Sequence, residues 1–278
     1  PFISEELGGQ PVIVENRAGG LGMPAINETL RQPADGNTVF AADSSHWATV
    51  PALKSAPYDF LRSFSPVSLV FSTPHLWVAN SSSSIKTMQD LITLARANPN
   101  KVDYATVGIG SASHLQVESL AHSLGIKFNP IIYKSGGEAA MALLRGEVQF
   151  WVNGVAAPLP HVRAGKMTAL AIGSKAPLPL LPEVTPISEL TRLKDFDWTA
   201  QQGWVVRADT PKPIVDRLGG AIRRAMENAA KQPGFATKIL QMGGAELNPS
   251  TSEQFLNYIQ SDVRKYEDLI KTIGLKTQ

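Results

Sequence analysis

Short apolar runs alternate along this chain with stretches whose apolar residues recur every three or four positions. The runs read as buried strands and the stretches as amphipathic helices. Strands are predicted at Pro11–Val14, Thr38–Ala42, Ser68–Phe71, His75–Ala79, Val102–Val107, Ile131–Tyr133, Val148–Val152, Ala169–Ile172 and Gly203–Val206. Ser72-Thr73-Pro74 reads as a break between two of them. Thr87 and Asp90 form a capping box ahead of Met88, Leu91, Ile92 and Ala95, an apolar helix face that Pro99 ends. A second box, Thr251 with Gln254, opens a helix carrying Phe255, Ile259, Val263, Tyr266 and Ile270, which Gly274 stops. Thr210-Pro211 starts a helix with Leu218, Ile222 and Met226 on one face. Strands alternating with helices predict an α/β fold with largely parallel sheets.

The polar run Ser81–Ser84 reads as a linker, and the proline-rich stretch Pro177–Pro186 as a return crossing. They divide the chain into one lobe from residues 1–81 and 202–278 and a second from 82–201, a size that suits two domains.

Composition narrows the function. The 278 residues are 43% hydrophobic and 18% charged, with a formal net charge of +2 and no basic stripe, so no nucleic-acid partner is expected. No apolar run approaches the ~20 residues of a membrane span. There are no cysteines, which excludes disulfides and thiolate chemistry. The five histidines are dispersed without a metal-binding pair, and no G-x-S-x-G elbow presents a nucleophile. Neither a cofactor nor a metal site is expected.

What recurs is a strand ending in a small polar loop that opens a helix. It occurs at Ser44, Ser45 and His46, at Gly110, Ser111, Ala112 and Ser113, and at Ser135 and Gly136. The first turn of a helix has unpaired N–H groups at the positive end of its dipole, and small side chains let an anion approach them. The serines serve either as caps of their own helices or as ligand contacts, and one loop can do both. Asn153 and Gly154 stand at another strand end, where open α/β sheets gather their ligands. His114 reads either as a packed residue beside its helix start or as a proton-transfer group, and Trp47 either as core or as a cleft-mouth residue.

Several segments in order resemble the Bug-type solute receptors of tripartite tricarboxylate transporters. Val12-Ile13-Val14-Glu15-Asn16-Arg17-Ala18-Gly19-Gly20 is similar to the family's V-V-V-E-N-R-P-G-A-G signature. Ala34-Asp35-Gly36-Asn37-Thr38 resembles P-x-D-G-Y-T, after Pro33. Pro57-Tyr58-Asp59 with Phe64-Ser65-Pro66-Val67 resembles P-Y-D-x-x-x-D-F-x-P-V. Gly108 to Leu115 resembles G-x-G-S-x-x-H-L, and Ala164-Gly165-Lys166 with Ala169-Leu170-Ala171 resembles A-G-K-L-R-A-L-A. The motifs span nearly the whole chain. The resemblance implies a type II periplasmic-binding-protein fold, two lobes with a ligand cleft between them. It further implies a periplasmic, non-enzymatic, monomeric receptor that binds a small carboxylate or dicarboxylate and hands it to the membrane permease subunits. Pro1-Phe2 runs straight into Ile3–Gly8, which reads as the end of a helix. In the family a first strand ending in Pro-Phe leads through a Pro/Gly-rich binding loop into that helix, so the resemblance implies that this loop and the helix start are missing here. Ser135 stands where the family usually has glycine, and Gln149 where it often has aspartate. The alternatives are a ligand sensor presenting its bound state to a signalling partner, and an enzyme on the same fold.

Overall fold

The computed structural model describes residues 2–275 other than 18, 54, 55, 57, 192, 194, 195, 236, 237 and 240–245. Ala18 of the opening signature and Pro57 of the Pro-Tyr-Asp motif therefore lie outside the described residues. The strands are β1 (Phe40–Asp43), β2 (Phe64–Asn80), β3 (Asp103–Thr106), β4 (Asn129–Ile132), β5 (Phe150–Gly154), β6 (Met167–Ile172), β7 (Thr199–Arg207) and β8 (Glu246–Leu247).

Two compact units emerge. Pro1–Ser72, Gln201–Ile239 and Glu246–Gln278 make the first, and Thr73–Ala200 lies in the second. The serine run 81–84 falls inside the second unit, as a turn after β2.

In the first unit β1 pairs antiparallel with β7, and the early part of β2 pairs with β8 at Phe71↔Leu247. Val67, Val70 and Val206 pack on Val215, Ile222 and Met226 of the Lys212–Lys231 helix. The capping-box helix Ser252–Ile273 buries Phe255, Ile259, Tyr266 and Ile270. Burial of such side chains at roughly 25 cal/mol per Å² is what holds these helices on the sheet.

In the second unit β3 pairs in parallel with both β4 and β5, whereas β2 pairs antiparallel with β5 and β6. The sheets are thus mixed rather than largely parallel, because β2 runs against its neighbours. Trp77, Phe150 and Tyr104 stack in its core, with ring centroids 5.6 and 5.3 Å apart. Thr87 and Asp90 form the expected box at the start of Met88–Ala97.

Two strand expectations are corrected. Ser72-Thr73-Pro74 does not interrupt the sheet, and β2 runs unbroken over 17 residues. Pro11–Val14 is irregular and exposed, with Ile13 and Val14 at 81% and 80% exposure, so it is not a buried strand in this structure.

Candidate functional site

The second unit sets three strand ends side by side. Because β5, β3 and β4 are neighbours and parallel, the segments following Gly154, Thr106 and Ile132 leave the same end of the sheet. Gly110–Ser113, Ser135–Gly136 and Asn153–Gly154 therefore share one end of one sheet. Gly136 lies against the Asn153 amide: a Cβ added there would stand 3.0 Å from Asn153 Nδ2. Asn153 Oδ1 accepts the Gly154 N–H at 2.7 Å.

Ser111 caps the Ala112–Leu124 helix by accepting the His114 N–H at 3.2 Å. Its hydroxyl also meets Thr106 Oγ1 at 3.0 Å and Ser113 Oγ at 3.1 Å, and the residue is 3% exposed. Gly110, in the left-handed region at φ 89°, turns the loop so that its N–H reaches His114 Nδ1 at 3.3 Å. That bond makes Nδ1 an acceptor. Burial pushes His114 down to about 4, so the ring is neutral. His114 is the packed residue that shapes the loop rather than a group poised to exchange protons near pH 7.

The two helix starts at this end differ in charge. Ser135 caps Gly136–Arg145 by accepting the Glu138 N–H at 3.2 Å, while the Glu138 carboxylate accepts the Lys134 N–H at 3.1 Å. A negative charge already occupies that first turn. The first turn of Ala112–Leu124 carries no acidic residue, and the amides of Ala112 and Ser113 have no partner within their own helix. It keeps its capacity for an anion.

In the first unit the loop after β1 is a single π-helical turn, Ser45–Thr49. Asp43 organises it, accepting the Ser45 N–H at 2.8 Å and pairing with His46 Nδ1 at 2.9 Å. Partial burial opposes the charge on Asp43, but the His46 charge and the His46 and Ser45 hydrogen bonds prevail and hold it at about 2. Burial likewise opposes the charge on His46, and Asp43 outweighs it, so His46 is raised. Ser44 is buried, and its hydroxyl hydrogen-bonds into the Asp262–Tyr266 cluster of the Ser252–Ile273 helix. Trp47 is core: it is 2% exposed and packs edge-on against Phe255. Among the described residues no group of three or more acidic or histidine side chains is placed to hold a metal.

Two further polar residues, His75 and Gln116, meet at this end of the sheet. His75 Nδ1 lies 2.8 Å from Gln116 Oε1, and both are buried at the sheet end that carries the loops above. The signal was a polar residue in each of two apolar patterns: His75 heads the run Leu76–Ala79, and Gln116 lies four residues before Leu120.

The fold is that of the periplasmic binding proteins. A solved periplasmic binding protein, BugD, is 26% identical and superimposes with a TM-score of 0.89, covering 99% of this chain and 90% of that one. Protein BugT of Bordetella pertussis is 30% identical over 272 residues, 96% of this chain and 81% of BugT. MatC from Rhodopseudomonas palustris, solved with bound malate, shares the fold at 24% identity and a TM-score of 0.86, covering 97% of this chain and 90% of its own. An R. palustris protein solved with adipate does so at 24% identity and a TM-score of 0.88, covering 98% and 90%. The profile of the tripartite tricarboxylate transporter family receptors matches residues 3–275, and this chain belongs to that family. It is a family of substrate-binding receptors rather than of enzymes.

Proposed function

We propose that this protein binds a small carboxylate or dicarboxylate in the periplasm and delivers it to the membrane subunits of a tripartite tricarboxylate-type transporter. The observation that carries the ligand class is the first turn of Ala112–Leu124. It offers backbone amides and the Ser113 hydroxyl beside Gly110, it has no acidic residue of its own, and its histidine is neutral. Amides and a helix dipole suit a carboxylate without an arginine clamp. Asn153, with an acceptor and two donors at the neighbouring strand end, serves the ligand's remaining polar groups. Ser135, Gly136 and Gly154 shape the same end. Structures of this fold holding malate and adipate set which acids to try first. Family membership supports the transport role.

The test is a thermal-shift screen, followed by calorimetry, with malate, succinate, glutarate, adipate and about fifty further carboxylates, beside neutral sugars. A ligand at a hundred times its Kd adds ~2.7 kcal/mol of stability. Shifts confined to acids are expected. Shifts from sugars alone would overturn the reading.

A further inference from the structure

Gln116 is fully buried, at 0% exposure, one turn into the Ala112–Leu124 helix. Its Oε1 is held by His75 Nδ1 at 2.8 Å, which makes Nδ1 the protonated ring nitrogen. Its Nε2 meets no acceptor. A buried donor without a partner disfavours the conformation that contains it.

The surroundings show where a partner stands. Gly173 follows β6, and three backbone hydrogen bonds close a ring there. The Gly173 N–H donates to the His75 carbonyl at 2.8 Å, the Trp198 N–H to the Gly173 carbonyl at 2.8 Å, and the His75 N–H to the Trp198 carbonyl at 3.3 Å. A Cβ on Gly173 would lie 2.7 Å from Gln116 Nε2 and 3.1 Å from the Trp198 oxygen. The orphaned amide and that carbonyl thus border the same small space, which glycine leaves open. His75 and Trp198 lie on the two segments, β2 and the approach to β7, that continue from this unit into the rest of the chain.

We propose that Gln116 is a positioning residue that couples occupancy of the 110–113 loop to the β2 and β7 connections, its Nε2 gaining the Trp198 carbonyl when an acid is bound. This rests on the reading that a carboxylate occupies the first turn of Ala112–Leu124. An anion there draws on the same rigid helix that carries Gln116. A displacement of that helix moves Nε2 across the space at Gly173, while Oε1 keeps hold of His75. The arrangement that makes this bond satisfies a donor that the arrangement without it leaves unmet, and a ligand that favours the first by this differential interaction shifts the population.

The test is Gln116→Met, close in size and without polar atoms, together with Gly173→Ala, which keeps Gln116 and fills the space. Each is compared with the wild type by calorimetry and amide hydrogen exchange, using malate, succinate, glutarate and adipate. The wild type is expected to gain ligand-dependent protection both at 110–116 and at 73–76 and 196–200. Both variants should keep a cooperative ligand-free melt, bind about tenfold more weakly and lose the protection at 73–76 and 196–200. If Gln116→Met does not fold, Gly173→Ala carries the same test. Wild-type affinity with wild-type protection in the variants overturns the coupling. Wild-type protection confined to 110–116 also overturns it, while leaving the carboxylate site intact. A wild type that responds to none of the acids overturns both readings.

Discussion

Trp47 donates its indole N–H to the Asp262 carboxylate at 2.7 Å, across 215 positions of sequence. The bond ties the loop after β1 to the Ser252–Ile273 helix, and both residues are nearly sealed, at 2% and 5% exposure. Burial drives the Asp262 carboxyl upward against the hydrogen bonds from Ser44 and Trp47, and it ends raised. Trp47→Phe keeps an aromatic ring against Phe60 and Phe255 but removes the donor. A hydrogen bond to a charged acceptor contributes about 1.5–3 kcal/mol, and the loss should lower the urea midpoint accordingly with an unchanged slope. An unaltered midpoint would mean that the carboxylate is served fully by Ser44.

Gly22 supports the same loop by steric permission. It sits in the left-handed region at φ 84°, and a Cβ there would come within 2.3 Å of His46 Nε2. Gly22→Ala should therefore cost the left-handed penalty of roughly 1–2 kcal/mol plus the displacement of the His46 ring. Gly146→Ala separates the two effects, since Gly146 is left-handed at φ 77° and ψ 17° with nothing within 4 Å of its added Cβ. Gly22→Ala is expected to destabilise distinctly more than Gly146→Ala. Equal melting temperatures would show that the ring moves aside freely.

Local rules carried far in this chain because several of its boundaries are set by local chemistry. The boxes at Thr87–Asp90 and Thr251–Gln254, and the glycine stop at Gly274, are hydrogen-bond patterns within a few residues, and each appears in the structure. The helix starts at Ser111 and Ser135 were legible for the same reason. The unbroken β2 was not, because Pro74 accepts the Val155 N–H through its carbonyl and needs no N–H of its own to stay in the sheet. Nor was the burial of Ser44 and Trp47, whose partners Asp262, Tyr266 and Phe255 lie more than two hundred residues away. His75, Gln116, Gly173 and Trp198 meet only through the sheet order, which no spacing in the sequence encodes.

The two histidines of the loops should impose opposite pH dependences. His114 is held at about 4 against an ordinary 6.5, so the unfolded chain takes up its proton first. Stability is therefore present above about 6.5 and is lost as pH falls toward about 4, by roughly 3 kcal/mol at most for a shift of this size. His46 is raised by Asp43, so its contribution is present below the ordinary value and is lost as pH rises through the raised one. His114→Gln, whose amide oxygen can still accept the Gly110 N–H, should flatten the acid limb of a melting-temperature profile between pH 6.5 and 4. Asp43→Asn should instead destabilise more at pH 6 than at pH 9. An acid limb that survives in His114→Gln would place its origin among the carboxylates.

Ser111 and Ser135 make the same capping bond, and ligand binding should tell them apart. Replacing either by alanine removes a cap worth about 1 kcal/mol, so both variants should lose comparable stability without ligand. Ser111 also holds Thr106 and Ser113, and its helix presents a first turn free of acidic side chains. Ser135 shares its turn with the Glu138 carboxylate, which already occupies the positive end of the dipole. Ser111→Ala should therefore weaken carboxylate binding about tenfold, or ~1.4 kcal/mol, while Ser135→Ala weakens it less. Ser83→Ala serves as control: its hydroxyl bonds the Asn80 carbonyl at 2.8 Å in the turn after β2, well away from the loops, so affinity should be unchanged. Calorimetry that gives Ser111→Ala and Ser83→Ala equal affinities would reduce Ser111 to a helix cap, and would leave the amides of Ala112 and Ser113 to hold the anion without it.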